Sequence, residues 1–259
     1  MGALHEGHAV LIRRARHIAG PKGSVVVSIF VNPTQFGPNE DFNRYPRTFQ
    51  KDRSLCLKEG VDLLFHPSAG EMYAEDASIS VREVALSMGL CGASRPGHFD
   101  GVCTVVAMLF QIVRPDIALF GEKDWQQLAI IRKMVRDLKI SIKVTGHPTV
   151  RAEDGLALSS RNRLLTPEER SLAPRIYQAL MAAAMEREAG ELSVAKLRRH
   201  LIADLSAIPL AEVDYAEIVD AETLRPLKKL DGRASSRALV AVRLGSVRLI
   251  DNINLPPSL

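Results

Sequence analysis

Val10, Leu11, Ala15 and Ile18 recur at helical spacing near the start of the chain, and Gly20-Pro21 closes the pattern, so a helix is predicted over about 7–18. Ser24 to Val31 is then a continuous, mostly β-branched run between Gly23 and Asn32-Pro33, which is how a strand buried on both faces reads. The alternation continues with helix 49–59, strand 62–65, helix 102–113, strand 116–120, helix 125–138 and strand 141–145. Such a sequence predicts an α/β fold with a doubly wound parallel sheet, whose ligands sit at the carboxyl ends of the strands. After Arg161 the texture changes. Residues 166–187 and 193–205 read as helices, and 213–219, 238–242 and 247–252 as strands. These predict a second, smaller α+β domain, giving domains of 1–149 and 150–259 with a hinge near 151–155.

Composition narrows the class without naming the chemistry. A chain of 259 residues with 46% apolar content fits one large domain or two modest ones. No stretch approaches the roughly 18 apolar residues of a membrane span, and the first residues have neither a basic nor an apolar leader region, so a cytoplasmic protein is expected. Cys56, Cys91 and Cys103 are odd in number and lack zinc-ligand spacing, which reads as reduced thiols. The formal charge of +4 is dispersed along the chain, a balance that suits anionic small substrates and gathers into no nucleic-acid patch.

In His5-Glu6-Gly7-His8 two imidazoles three residues apart share one face at the positive end of the opening helix. Unpaired first-turn N–H groups and the bare Gly7 would let a phosphate approach, with both His donating to it. Alone, the tetrapeptide reads equally as two exposed imidazoles at a frayed end, or as two metal ligands lacking a third. Gly121-Glu122-Lys123-Asp124 follows an apolar strand and precedes a helix, where an open α/β sheet holds nucleotides. There Lys123 can meet phosphate and Asp124 ribose hydroxyls; the plain alternative is a charged turn capped by Asp124. Leu158-Ser159-Ser160-Arg161 packs two hydroxyls and a guanidinium into one loop. A charge-assisted bond from Arg to phosphate is worth roughly 1.5–3 kcal/mol, so this loop is either a phosphate clamp or a polar linker. Asn32-Pro33-Thr34-Gln35 adds two amides just past a strand, and Gln127 adds a third. Arg95-Pro96-Gly97-His98 reads as a loop entering a helix, with His98 a packing or capping residue outside the catalytic set.

Taken in order, Met-Gly-Ala-Leu-His-Glu-Gly-His, Val-Asn-Pro-Thr-Gln-Phe-Gly, Arg-Pro-Gly-His-Phe-Asp-Gly-Val, Phe-Gly-Glu-Lys-Asp-Trp-Gln-Gln-Leu and Leu-Ser-Ser-Arg-Asn closely resemble the pantothenate synthetase family. The likeness runs nearly the whole chain, to Arg248-Leu249-Ile250-Asp251-Asn252. It implies a HIGH-motif nucleotidyltransferase, typically a homodimer, with a Rossmann-like first domain and a C-terminal lid. The implied enzyme is an ATP-dependent ligase that joins pantoate to β-alanine through pantoyl-adenylate, releasing AMP and pyrophosphate. Mg²⁺ is implied on the ATP phosphates, with no protein side chain as its ligand. The resemblance assigns ATP to Met1, Gly2, Ala3, Leu4, His5, Glu6, Gly7 and His8, to Gly121, Glu122, Lys123 and Asp124, to Val150, and to Leu158, Ser159, Ser160 and Arg161. It makes His8 the proton-donor histidine, with His5 and Lys123 also catalytic. Gln35 and Gln127 match pantoate-binding positions, Gln35 lies also near β-alanine, and Asn32 and Arg95 match residues around the reaction centre. The histidine pair and the Ser-Arg loop are expected to converge on one polyphosphate. Two departures stand out. The family's opening strand, which ends in Pro-Thr before Met-Gly-Ala-Leu-His, is expected to be missing, and Leu158 stands where Met is common. Two rival readings are another adenylyltransferase of the superfamily, which keeps the adenylate as product, and a nucleotide-binding protein without chemistry.

Overall fold

A computed structural model describes residues 2–38, 40–230 and 235–255. The chain forms two compact units, one of Met1–Glu122 with Ile130–Val150, the other of Lys123–Ala129 with Arg151–Leu259.

The first unit is built on parallel strands. Strand β1 (Val26–Ser28) pairs with β2 (Leu63–Phe65), and β3 (Ile117–Gly121) pairs with β4 (Lys143–His147). Helix α1 (Glu6–Ala19) and helix α2 (Phe49–Lys58) flank the first pair, and Leu4, Ile12, Val25, Val27, Ile29 and Cys56 close a buried cluster there. Short helices α3 (Ala69–Met72) and α4 (Cys91–Ser94) lead into the long apolar α5 (His98–Val113). The chain then passes through β3 into α6 (Trp125–Asp137) and on to β4. Parallel pairing across intervening helices is the α/β arrangement that the alternation predicts.

Two expectations change in detail. The run 24–31 forms a ladder of only three residues, and its burial alternates, with Val25, Val27 and Ile29 buried and Val26, Ser28 and Phe30 half-buried. One face meets the apolar cluster; the other does not. All five residues of β3 are likewise half-buried, and no described strand links β3 to β1 by hydrogen bonds, so the expected single sheet appears as two parallel pairs.

The second unit is an antiparallel sheet, β5 (Ala211–Asp220), β6 (Ser236–Leu244) and β7 (Val247–Leu255), with β6 in the centre. Helices α7 (Pro167–Leu172), α8 (Pro174–Glu188) and α9 (Val194–Ser206) complete it. Ile176, Leu180, Leu197, Leu201 and Leu205 bury against Val240, Val242 and Leu244. Each such side chain contributes about 1.5–3 kcal/mol by leaving water. The periodic run 166–187 is broken after Leu172, because Pro174 has no N–H for the preceding turn and instead opens α8 as its first residue. Trp125 anchors the early part of α6 to this unit. Its indole Nε1 donates to the Ala221 carbonyl at 2.8 Å, and the Arg237 guanidinium lies 3.5 Å above its ring.

Candidate active site

The histidine pair is built by the start of α1. His5 is the N-cap residue in extended conformation, and its Nδ1 accepts from Gly7 N at 3.2 Å. His8 reaches back, so that its Nδ1 accepts from His5 N at 3.3 Å. The result is a capping box in which two imidazoles do what Ser and Glu usually do. With both Nδ1 lone pairs engaged by backbone N–H, each neutral ring carries its proton on Nε2 and is a donor there. The rings lie 4.1 Å apart between centroids.

This narrows one expectation. Two first-turn N–H groups are already bonded: Gly7 N is held by His5 Nδ1, and His8 N bonds to the His5 carbonyl at 2.8 Å. Gly2 sits beside Val31, three residues past β1, since a Cβ there would lie 3.3 Å from Val31 Cγ2. Met1 lies outside the described residues.

A second group gathers around Asn32, which is 2% exposed and caps the turn Pro33–Gln35. Its Oδ1 accepts from Thr34 N at 3.3 Å, from Thr34 Oγ1 at 3.0 Å and from the Tyr73 hydroxyl at 2.7 Å. Its Nδ2 donates to the Gly101 carbonyl at 3.1 Å and to Gln35 Oε1 at 3.3 Å. Asn32 is therefore fully used in shaping the loop. Gln35 has its Oε1 occupied, which leaves its NH₂ end as the polar group that an acceptor on a substrate would meet. Tyr73 was not among the residues expected here. Burial pushes its hydroxyl pKa up, so it stays a donor to Asn32. Its one sequence signal was the capping box of Ser68 and Glu71 just before it, which marks the short helix α3 but not its target.

Arg95 and Gln35 are brought together, with Arg95 acting on the protein itself. Arg95 Nε donates to Glu40 Oε1 at 2.7 Å, and its Nη2 pairs with Glu40 Oε2 and donates to the Gln35 carbonyl at 3.3 Å. Because Arg95 can only donate, its 3.0 Å contact to His98 Nε2 makes that nitrogen the acceptor. His98 Nδ1 then carries the proton and donates to the same Gln35 carbonyl at 2.8 Å. His98 is thus a packing residue with a purpose: together with Arg95 it fixes the backbone of Gln35.

Burial pushes the Glu40 carboxyl up, but the hydrogen bond and charge of Arg95 more than offset this and hold it below 4.5. A depressed folded value means that the pair stabilises the fold above about pH 4.5, and that this contribution is lost as pH falls through the folded value. The stability difference between the protein and its Glu40→Gln variant, measured by urea unfolding from pH 7 to pH 3, is expected to be constant near neutrality and to shrink below about pH 4.5. A difference that does not change with pH would show that the pair carries no charge coupling.

Gly121 and Glu122 end β3 and begin a tight turn, Glu122–Asp124. Lys123 Nζ lies 3.7 Å from Asp124 Oδ1. The Lys123 carbonyl accepts from Asn252 Nδ2 at 2.9 Å, and Arg237 bonds Asn252 Oδ1, which sets the orientation of that amide. Gln127, in the first turn of α6, is half-buried, whereas its neighbour Gln126 is buried. Val150 is half-buried, just after β4.

Arg151 begins the turn before the Ser-Arg loop. Its guanidinium grips Asp251 through Nη1 at 2.6 Å and Nη2 at 2.9 Å, donates to the Gly155 carbonyl at 3.1 Å and lies 3.6 Å over the Tyr177 ring. Gly155 has φ +92, and a Cβ there would meet Tyr177 at 2.7 Å. These contacts fix the root of the loop. Ser159 caps the turn Ser160–Leu164 by accepting from Arg161 N at 3.3 Å, and Ser160 is buried. Leu158 and Arg161 are half-buried on either side.

Within the first unit, then, Asn32 and Arg95 each contact Gln35, and His5 and His8 form one device. Within the second, Lys123 and Asp124 are adjacent, and Ser159, Ser160 and Arg161 share one turn. Cys56, Cys91 and Cys103 are buried and unbridged, and burial helps push the Cys103 thiol up to about 12, far from thiolate chemistry.

The family model described as pantoate-beta-alanine ligase matches residues 1–254. Pantothenate synthetase of Thermotoga petrophila is 53% identical over 97% of this chain and 88% of its own length. That of Geobacillus thermodenitrificans is 52% identical over 98% of this chain and 86% of its own. The crystal structure of pantothenate synthetase from Thermus thermophilus matches with a TM-score of 0.94 at 50% identity, covering 99% of this chain and 91% of that one. The pantoate-beta-alanine ligase of Francisella tularensis, solved with beta-gamma ATP and beta-alanine, matches with a TM-score of 0.77 at 36% identity over 98% of this chain and 87% of that one.

These likenesses first define a class: the protein is an enzyme, a ligase of the α/β type with a separate antiparallel unit. More narrowly, the chain belongs to the pantoate-beta-alanine ligase family.

Proposed function

We propose that the protein joins pantoate to β-alanine at the expense of ATP, in two steps through pantoyl-adenylate. The observation that carries the reading is the imidazole capping box of His5 and His8, which presents two Nε2 donors of defined tautomer at one helix start. Triphosphate oxygens are the ligand for such a pair. In the first step the pantoate carboxylate attacks the α-phosphorus of ATP in line and pyrophosphate leaves, with His8 and His5 stabilising the charge that develops on phosphate oxygens. Lys123 is proposed to meet the same phosphates, and Ser159, Ser160 and Arg161 to hold the leaving pyrophosphate. In the second step the neutral amine of β-alanine attacks the acyl carbon, the bond to AMP breaks, and the amine gives up a proton. Gln35 and Gln127 are proposed to orient pantoate through its hydroxyl and carboxylate oxygens.

No protein nucleophile enters, so positioning and charge stabilisation supply the catalysis. Mg²⁺ fits this site only as a companion of the nucleotide. It prefers oxygen ligands and retained water, which phosphate supplies and the imidazoles of His5 and His8 do not. The ion would neutralise phosphate charge when bound. A homodimer working in the cytoplasm is the assembly and compartment we propose with this activity.

The test is product analysis with ATP, Mg²⁺, pantoate and β-alanine, each omitted in turn. AMP and pyrophosphate are expected in equal amounts, with exchange of labelled pyrophosphate into ATP requiring pantoate but not β-alanine. Release of ADP would exclude adenylate chemistry. Accumulation of the adenylate with β-alanine present would place the protein among adenylyltransferases that keep it as product.

A further inference from the structure

The segment that delivers His5 to its capping position is held by a residue far along the chain. Asp52, on α2, is 2% exposed. Its Oδ2 accepts from Ala3 N at 2.9 Å, and its Oδ1 accepts from Leu4 N at 2.8 Å and from Thr48 Oγ1 at 3.0 Å. Among the described residues no Lys, Arg or His side chain ion-pairs with it. A buried carboxylate must be compensated by hydrogen bonds, and here two consecutive backbone N–H groups supply most of them.

Those two N–H groups converge because Ala3 is left-handed, with φ +50. Successive N–H groups around a left-handed residue form a concave anion nest. For alanine that conformation is disfavoured by roughly tenfold, so something must hold it. Ala3 is also wholly buried, which leaves it little room to relax. Two residues later the chain is at His5 Nδ1 and the first turn of α1. The carboxylate occupies the nest and thereby sets the angle at which the chain enters that turn.

We propose that Asp52 is a positioning residue for the histidine pair, acting by holding Ala3 in its left-handed conformation. Resting on the reading of His5 and His8 as phosphate donors, the inference adds a residue 44 positions beyond His8 that touches no substrate. Asparagine at position 52 keeps one acceptor oxygen but turns an NH₂ toward the other backbone N–H. Ala3 then returns to an ordinary conformation, and His5 is displaced.

The experiment compares Asp52→Asn, Ala3→Gly, the double variant and His8→Ala by steady-state kinetics of AMP formation and by thermal unfolding. Asp52→Asn is expected to lower kcat by about tenfold, within the range that a misplacement near 1 Å produces, with KM for pantoate little changed. Ala3→Gly alone is the baseline: position 3 lies in the segment assigned to ATP, so the effect of glycine in the parent is divided out before the double variant is read, while glycine itself adopts positive φ without steric cost. The deciding readout is the double variant. If Asp52 acts through the conformation of Ala3, glycine raises kcat in the Asp52→Asn background by at least about threefold relative to its effect in the parent. If Asp52 only supports the fold, the two changes add as losses and no recovery occurs, which overturns the proposal. Should Asp52→Asn fail to fold, Thr48→Val, which removes one bond to the carboxylate, is expected to give a smaller loss of kcat that Ala3→Gly again reverses; additive losses there overturn it equally. Normal kinetics in Asp52→Asn with impaired His8→Ala would refute the role of Asp52 alone. Near-normal turnover in His8→Ala would instead remove the histidine reading on which the inference stands.

Discussion

Replacing His8 with alanine is expected to lower turnover by on the order of 10²–10³, with a much smaller change in KM for ATP. The size follows from what the side chain does in two places. On the proposed function its Nε2–H is a donor to charge that grows on phosphate oxygens in the transition state, and loss of one such donor costs roughly 2.7–4 kcal/mol of barrier. Its Nδ1 also accepts from His5 N, so the same change removes half of the capping box and loosens the partner imidazole. Loss of a cap alone costs about 1 kcal/mol of stability, too little to account for a hundredfold fall in rate. His8→Asn separates the two roles: it can accept from His5 N but lacks a ring donor at the Nε2 position, so stability is expected to recover while turnover stays low. Stopped-time AMP assays and thermal unfolding on the three proteins check this. Turnover within a few fold of the parent in His8→Ala would mean that the imidazole does not meet the reacting phosphate.

Gly101→Ala is expected to drive a methyl group into the turn that carries Gln35, with a large loss of both stability and activity. A Cβ at this position would sit 2.4 Å from the Thr34 carbonyl oxygen and 2.8 Å from Gln35 N. Both are backbone atoms, so nothing can swing aside. The helix α5 and the turn Pro33–Gln35 must separate, and the bond from Asn32 Nδ2 to the Gly101 carbonyl goes with them. Overpacking of this kind costs about 1–3 kcal/mol. The functional loss is expected to be larger, on the order of 10²-fold in kcat/KM for pantoate, because the displaced residue is Gln35, which is proposed to orient pantoate. Gly70→Ala is the control, since a Cβ there has nothing within 4 Å. Denaturant midpoints and kcat/KM for pantoate, measured on both, decide the matter. An unchanged midpoint and unchanged kcat/KM in Gly101→Ala would show that the helix and turn do not approach so closely.

Local periodicity carried the element order well, because amphipathic spacing is written in neighbouring residues. The opening helix, the four parallel strands and the three antiparallel ones all lie where the apolar pattern put them. The misses are long-range in origin. Helix α5 begins at His98, four residues before the periodic run, because Pro96-Gly97 reads as a loop and the first turn is held by contacts to Gln35, which lies far earlier in sequence. The strand 24–31 shortened because a ladder needs a partner, and β2 supplies only three residues of one.

The candidate site divides in the same way. His5, His8, Asn32, Gln35 and the turn of Ser159 to Arg161 were singled out by residue type, and the family resemblance decided among their alternative readings. Asp52, Tyr73, Gly101 and Arg237 could not be, since each acts on a segment far from itself in sequence. Arg95 was placed near the reaction centre by the family resemblance alone, and its visible partners are Glu40, His98 and the Gln35 carbonyl. Sequence shows that a guanidinium is present but not which acceptor reaches it first. Capping by imidazoles was also invisible, because it depends on rotamers rather than on spacing.

The indole of Trp125 has a practical corollary for anyone wishing to study the antiparallel half in isolation. A polypeptide starting at Arg151 would lack the ring stacked on the Arg237 guanidinium and the donor to the Ala221 carbonyl. Each buried polar group stripped of its partner costs about 1–3 kcal/mol, a large fraction of the stability of a small domain. Severing the gene at the obvious hinge therefore yields a crippled piece, and a soluble, cooperative one has to bring Lys123–Ala129 along, grafted through a short spacer.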